Sequence, residues 1–295
     1  MTPFFRLGTL LAQVKVTKAV ITAAGRNQNR LPLQVLVDSD GTQKPAIRII
    51  LEEAASAGIN EAAIIITPGD REAYASALQD SPIRVQFIEQ HPLGGYGHAL
   101  LCSRAFVGES PFLHLVSDHL YLSSRLERCA QQLVAVAQLE DCSVSAVQPT
   151  RESKLPFYGT VGGKGVANKP RLYQVEKVLE KPTPTVAEQE LIVPGLRAGY
   201  YLCFFGMHVL TSGVLEILAA THSAAKNGAL PLTPALSELA SREKYLAYEV
   251  EGRRYNLGEK FGLLNTQLAL GLAGRDRDEI LAQMVEVLAT RNHAK

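Results

Sequence analysis

Between residues 19 and 148 short apolar runs alternate with stretches of helical periodicity, and that rhythm admits few folds. Ala19–Thr22 reads as a buried strand. Pro45–Ala57 predicts a helix, with Ile47, Ile50, Leu51 and Ala54 at i, i+3, i+4 and i+7 and Gly58 as its stop. Ala62–Thr67, Ile83–Ile88, Phe112–Val116 and Ser143–Gln148 read as further strands. Asp70–Leu78, His98–Phe106 and Leu126–Leu139 read as the helices between them. Strands of four to six apolar residues joined by helices predict a mostly parallel sheet covered on both faces.

The pattern changes after residue 150. Tyr158–Val161, Tyr173–Leu179, Gly199–Phe205 and Tyr245–Val250 read as strands, separated by Gly- and Pro-rich turns. Val214–Ala220 and Pro234–Ser241 read as short helices. Phe261–Leu272 and Asp278–Thr290 read as amphipathic helices, the last with Ile280, Met284 and Leu288 as its core stripe. The chain is therefore expected to divide softly into residues 1–150, a ligand-binding α/β half, and 151–295, a strand-rich half with the C-terminal helices, in one compact unit.

At 295 residues and 46% hydrophobic content the chain can bury a sizeable core. Its 30 basic and 29 acidic residues leave a net charge of +1, which argues against a nucleic-acid partner. Cys102, Cys129, Cys142 and Cys203 form no C-x-x-C pair, so zinc and a disulfide framework are not expected. No apolar run approaches the ~20 residues of a membrane span. The N-terminal apolar stretch is broken by Arg6 and Gly8, with no A-x-A site before the first strand. It reads as a leading helix or tail of a cytoplasmic protein.

Four features belong at the carboxyl ends of the strands, where parallel sheets bind ligands. The first is the turn after the first strand, Ala23-Ala24-Gly25 leading to Arg30, with exposed N–H groups and a cation suited to phosphate. The second is the segment Gln90 to Ala99, whose Gly94, Gly95 and Gly97 let a ligand approach the backbone. The third is Asp118, at the end of an apolar strand, where a carboxylate can hold a divalent ion. The fourth is Glu180-Lys181-Pro182 together with Tyr158-Gly159.

The order of these features resembles the sugar-1-phosphate nucleotidyltransferases, most of all the bacterial UTP–glucose-1-phosphate uridylyltransferase (UDP-glucose pyrophosphorylase) branch. The likeness runs from about Lys18 to about Leu272. It rests on KAVITAAG, KPAIRIILEEAASAGINEAAIIIT, EQHPLGGYGHALLCSRAFVGESPF, LVSDHLY, YGTVGG, VEKVLEKP, FFGMHVLTSGVLEIL, LTPALSEL and EGRRYNLGEKFGLL in that order. The resemblance implies a Rossmann-like, mostly parallel sheet flanked by helices (the nucleotide-diphospho-sugar transferase fold), with residues 1–150 as the nucleotide-binding half and 151–295 as the strand-rich sugar-phosphate-binding half with the C-terminal helices. It implies a reaction in which UTP and glucose 1-phosphate give UDP-glucose and pyrophosphate with Mg²⁺ as cofactor.

By the same resemblance Ala24, Gly25 and Arg30 hold the UTP phosphates. Gln90 meets the uracil edge and Gly97 packs close to the nucleoside. Asp118 and Asn256 are the metal positions. Glu180 binds the glucose hydroxyls, Lys181 its phosphate, and Gly159 and Gly206 line the sugar pocket. Arg30, Asp118 and Lys181 are the residues expected to carry the chemistry. No membrane or nucleic-acid partner is implied, and the exposed faces of the last two helices suit a homo-oligomer.

Three departures from the family pattern concern the triphosphate and its metal. The family loop reads roughly G-x-G-T-R, whereas here Arg26-Asn27-Gln28-Asn29 separate Gly25 from Arg30 without a second glycine. The segment Leu33–Val37 carries no lysine, and Lys44 before Pro45 fits a later, structural position. Asn256 stands where a second carboxylate is expected. Two expectations follow: an active uridylyltransferase of reduced rate, or a catalytically impaired relative that binds a nucleotide sugar or partner subunit in a regulatory role.

Overall fold

A computed structural model describes residues 15–25, 30–224 and 228–291. The N-terminal leading segment and the four residues between Gly25 and Arg30 lie outside the described residues. The strands are β1 (Lys18–Thr22), β2 (Val35–Val37), β3 (Gln43–Pro45), β4 (Glu61–Ile66), β5 (Arg84–Glu89), β6 (Phe112–Val116) and β7 (His119–Ser123). They continue with β8 (Ser143–Arg151), β9 (Gly159–Gly165), β10 (Leu172–Glu180), β11 (Tyr200–Leu210), β12 (Tyr245–Glu249) and β13 (Gly252–Asn256). The helices are α1 (Ala46–Ser56), α2 (Arg71–Ala77), α3 (Tyr96–Leu101), α4 (Arg104–Val107) and α5 (Cys129–Glu140). After them come α6 (Pro184–Glu190), α7 (Gly213–Ala224), α8 (Thr233–Arg242), α9 (Gly262–Ala273) and α10 (Arg277–Arg291).

The apolar strands pair because each is buried on both faces and must satisfy its backbone against a neighbour. Ala19, Val20 and Ile21 of β1 are wholly buried between parallel β4 and β6. One nine-stranded sheet results, in the order β5-β4-β1-β6-β11-β8-β12-β10-β9. Parallel pairing holds along β5-β4-β1-β6 and between β12 and β8. β11 enters antiparallel between β6 and β8, and β9 pairs with both β10 and β11. One face carries α1 and α5 through Ile47, Ile50, Leu51 and Leu133; the other carries Leu100, Leu218 and Leu236 of α3, α7 and α8. Each such fully buried side chain contributes about 1.5–3 kcal/mol.

Several elements differ from the sequence reading. His98–Phe106 is two helices, α3 and α4, with a break at Cys102–Ser103. The helix expected from Leu126 starts at Cys129, where the Gln131 side-chain oxygen accepts the Arg128 backbone N–H at 2.8 Å, and Leu126 is fully exposed. The stripe Ile280, Met284, Leu288 is not a core stripe: Ile280 and Met284 are half-buried and Leu288 is 64% exposed. Helical periodicity identifies an apolar face, but not whether another element covers it. Among the described residues no helix is long and apolar enough to cross a membrane. The four cysteines are unpaired.

Candidate active site

The chain leaves β1 towards β4 and later returns on the other side of β1 as β6, so the sheet has a switch point between β1 and β6. Backbones diverge there and leave a crevice at the carboxyl ends. A cavity of 540 Å³ occupies it. Thr22, Ala24 and Gly25 line it from the end of β1 and the turn after it, Val116, Ser117 and Asp118 from the end of β6 and just beyond, Gln90 and Gly95 from the loop before α3, and Tyr96 from the start of α3.

Asp118 is its anionic group. The His119 Nδ1–H donates to Asp118 Oδ1 at 2.7 Å. Burial pushes the carboxyl up, but the hydrogen bond and charge of His119 outweigh it and hold Asp118 below the usual carboxylate range. Asp118 is thus ionised at neutral pH, and His119 is its side-chain partner among the described residues.

Gln90 is 2% exposed, and its amide nitrogen donates to Gly95 O at 2.9 Å and meets His98 Nδ1 at 3.0 Å. The carbonyl acceptor fixes which end of the amide is nitrogen. Burial, then the neighbouring His222, lowers the His98 pKa, so His98 stays neutral and accepts the second N–H. Both Gln90 donors are spent inside the protein, and its carbonyl oxygen has no hydrogen-bond partner among the described residues.

The rim of this cavity is strapped down by the segment before α8. Leu230 N–H donates to Gly94 O at 2.7 Å, and Gly97 N–H donates to Leu230 O at 2.8 Å. A Cβ on Gly97 would lie 2.8 Å from Pro231 O and 2.9 Å from Leu230 O. Gly97 therefore has a packing role: its bare Cα admits the strap. It lines neither cavity.

A second cavity of 470 Å³ lies beside the first and shares Gly95, Tyr96, Val116, His119 and Ala229 with it. Gly159, Glu180, Phe204, Gly206, His208 and Thr233 line its far side. Glu180 Oε2 accepts the Thr233 hydroxyl at 2.6 Å, which orients the carboxylate. Gly206 has φ +82° at a register shift of β11 against β8, and Tyr121 O–H donates to its carbonyl at 2.7 Å. A Cβ there would meet Val116 Cγ2 at 2.8 Å. Glycine is needed on both counts.

The structure brings Ala24, Gly25, Gln90 and Asp118 together around the first cavity and Gly159, Glu180 and Gly206 around the second. Four candidates line neither. Arg30 is exposed at the start of a short 3-10 turn. Lys181 is 56% exposed, with Nζ 4.0 Å from Glu180 Oε1 and φ +46°, a left-handed residue that turns the chain at the end of β10. That conformation costs a non-glycine residue about 1–2 kcal/mol, a strain typical of functional corners. Asn256 flanks Asp118, since Leu257 N–H donates to Asp118 O at 2.8 Å and Asn256 pairs with His119. Its side-chain oxygen, however, accepts Gly258 N–H at 2.8 Å. Gly97 is the fourth. Lys44 contacts Asp38, Asp40 and Glu52 at 2.7, 2.7 and 2.8 Å, so it ties the β2–β3 hairpin to α1.

Thr22, Tyr96, His119, Phe204, His208 and Thr233 are cavity residues that the sequence reading did not single out. A polar residue in an apolar strand, as at His114 and His208, was the available signal. Among the described residues no cluster of three His, Cys, Asp or Glu side chains is arranged to hold a metal ion by itself.

The chain is similar to nucleotidyl transferases in sequence and in fold. The sequence model described as nucleotidyl transferase matches residues 32–266. The chain is 29% identical over 301 residues to the UTP–glucose-1-phosphate uridylyltransferase YngB of Bacillus subtilis (strain 168), covering 93% of this chain and 96% of that protein. It is 28% identical over 285 residues to the UTP–glucose-1-phosphate uridylyltransferase of Streptococcus pneumoniae serotype 4, covering 88% and 91%. A crystal structure of UDP-glucose pyrophosphorylase complexed with UDP-glucose superimposes with a TM-score of 0.71 at 25% identity, over 86% of this chain and 98% of that one.

Proposed function

Because the chain belongs to the nucleotidyl transferase family, we propose that it forms UDP-glucose and pyrophosphate from UTP and glucose 1-phosphate. The observation that carries this reading is the pair of adjoining cavities at the carboxyl ends of β1 and β6, with His119 at their seam and Asp118 beside it in the first cavity. Volumes of 540 and 470 Å³ suit a nucleotide beside a sugar phosphate. The names of the relatives support the same substrates.

In the reaction a phosphate oxygen of glucose 1-phosphate bonds to the α-phosphorus of UTP as the α–β phosphoanhydride bond breaks and pyrophosphate leaves. Such a transfer needs alignment and charge neutralisation more than covalent help from the protein. The uncommitted Gln90 carbonyl suits the N3–H of uracil or thymine and disfavours cytosine, which has no hydrogen there. Glu180, held by Thr233, suits sugar hydroxyls, and Lys181 at the adjoining corner suits the sugar phosphate.

The donor set fits Mg²⁺ in the one-carboxylate manner, in which substrate phosphates complete the coordination. Asp118 would hold it through the oxygen His119 leaves uncommitted, with Asn256 alongside as a neutral, already hydrogen-bonded oxygen. When bound, the ion supplies positive charge to the phosphates. His119 fixes the orientation of the Asp118 carboxylate, and the Gly95–Tyr96 backbone closes the wall between the two substrates.

The test is pyrophosphate release from UTP, Mg²⁺ and glucose 1-phosphate. Release that depends on all three is the expected result. No release with any common nucleoside triphosphate and sugar phosphate, while UDP-glucose still binds, would replace the enzyme by the impaired, nucleotide-sugar-binding relative.

A further inference from the structure

Two histidines stack in the middle of the sheet, His114 on β6 and His208 on β11, which pair directly in register. Their ring centroids are 5.8 Å apart and the planes 14° from parallel, at 0% and 3% exposure. Burial, then the neighbouring His114, holds His208 well below its ordinary pKa, so it is neutral. A neutral imidazole carries its single hydrogen on one nitrogen, and the partners decide which.

For His114, Nδ1 lies 3.0 Å from Val20 O, a pure acceptor, so Nδ1 carries the hydrogen and Nε2 accepts the Tyr96 hydroxyl at 2.7 Å. His208 has the opposite arrangement. Its Nδ1 is 2.5 Å from Ser145 Oγ, and Ser145 Oγ is 2.5 Å from the Tyr245 hydroxyl. Ser145 and Tyr245 are wholly buried, and Ser145 is the Tyr245 hydroxyl's partner among the described residues. If serine donated to tyrosine, the phenolic hydrogen would be buried without an acceptor, a loss that proteins avoid. The satisfied chain runs Tyr245 O–H to Ser145 O–H to His208 Nδ1. The His208 hydrogen then sits on Nε2, the nitrogen with no hydrogen-bond partner among the described residues, in a residue that lines the second cavity.

We propose that His208 is a sugar-reading residue, donating its Nε2–H to a hydroxyl of the bound sugar, with Ser145 and Tyr245 as positioning residues that set its tautomer. The inference rests on the reading of the second cavity as the sugar pocket. That cavity also carries Glu180, which only accepts. A sugar hydroxyl can donate to Glu180 and accept from His208, whereas a phosphate oxygen beside Glu180 would be repelled.

The test has two arms. Ring ¹⁵N spectra of the wild-type protein should show one buried neutral histidine protonated at Nε2 and lost in His208→Phe, with its tautomer balance moved in Ser145→Ala. Calorimetry should show His208→Phe binding UDP-glucose about five- to tenfold more weakly, the worth of one neutral hydrogen bond, with UDP affinity unchanged. Nδ1 protonation of His208, or a variant that loses UDP and UDP-glucose equally or neither, overturns the inference while the proposed function stands. Wild-type protein that binds neither ligand overturns the sugar-pocket reading and this inference with it.

Discussion

The two cavities adjoin, yet they are built by different means. The first is lined mainly by segments at strand exits: the turn after β1, residues 116–119 from the end of β6 and the glycine loop before α3, with Ala229 of the strap at its edge. The second sets Glu180 of β10 and Phe204 and His208 of β11 opposite the strap residues Leu230 to Thr233, and hydrogen bonds from Thr233 and Ser145 hold Glu180 and His208 in place. A loop-built wall follows its ligand, and a sheet-built wall dictates to it. The difference teaches that substitutions in the first cavity should fall on turnover and local stability, and those in the second on discrimination between sugars.

The strongest challenge to this contrast is Asp118→Asn. Removing the one carboxylate that lines the first cavity among the described residues should lower kcat by a hundred- to a thousandfold, about 3–4 kcal/mol in barrier. UDP-glucose affinity measured without metal should stay within a few-fold. A variant with near-normal kcat would move the charge-neutralising role elsewhere.

Next is Gly97→Ala. Its Cβ would sit 2.8 Å from Leu218 Cδ2 and from Pro231 O, so the strap must shift. The expected loss is about 2–3 kcal/mol in a denaturant melt, with weakened UTP binding. If UTP binding held and only UDP-glucose discrimination changed, the strap would act through the second cavity, which Leu230 to Leu232 line, rather than through the rim of the first.

Tyr96→Phe is the finest probe, because Tyr96 lines both cavities. Losing its hydroxyl leaves His114 Nε2 without a donor, at about 1 kcal/mol of stability. The KM values for both substrates should rise together by a few-fold. A change confined to one substrate would assign the shared wall to that side.

Much of this arrangement was legible in the sequence, for physical reasons. The buried strands β1, β4 and β6 are runs of apolar residues bounded by turns, and Asp118 follows one of them directly. That local signal suffices because parallel strands must be apolar on both faces. His208 was not legible. It lies in an apolar strand, and its meaning depends on Ser145 and Tyr245, brought beside it only by the pairing of β11, β8 and β12. The reason for Gly97 is equally remote, since the atoms it makes room for belong to residues 230 and 231. The pairing of β7 with β13, which sets Asn256 beside Asp118, joins segments far apart in the chain. In α10 the periodicity was read correctly as an apolar face, and the assumption that something covers it was not: Val285, Val287 and Leu288 are 66, 63 and 64% exposed.

β11 has a kinetic consequence. It is hydrogen-bonded to β6 on one edge and to β8 on the other, so one unbroken sheet runs beneath both cavities. Opening the molecule like a clamshell would tear that ladder. Ligand entry and departure are therefore left to the peptide segments at the rim, which move on the nanosecond-to-microsecond timescale of loops rather than that of domain closure. The sheet-mounted contacts stand ready before a sugar arrives, and binding there need not bear the entropy of ordering them.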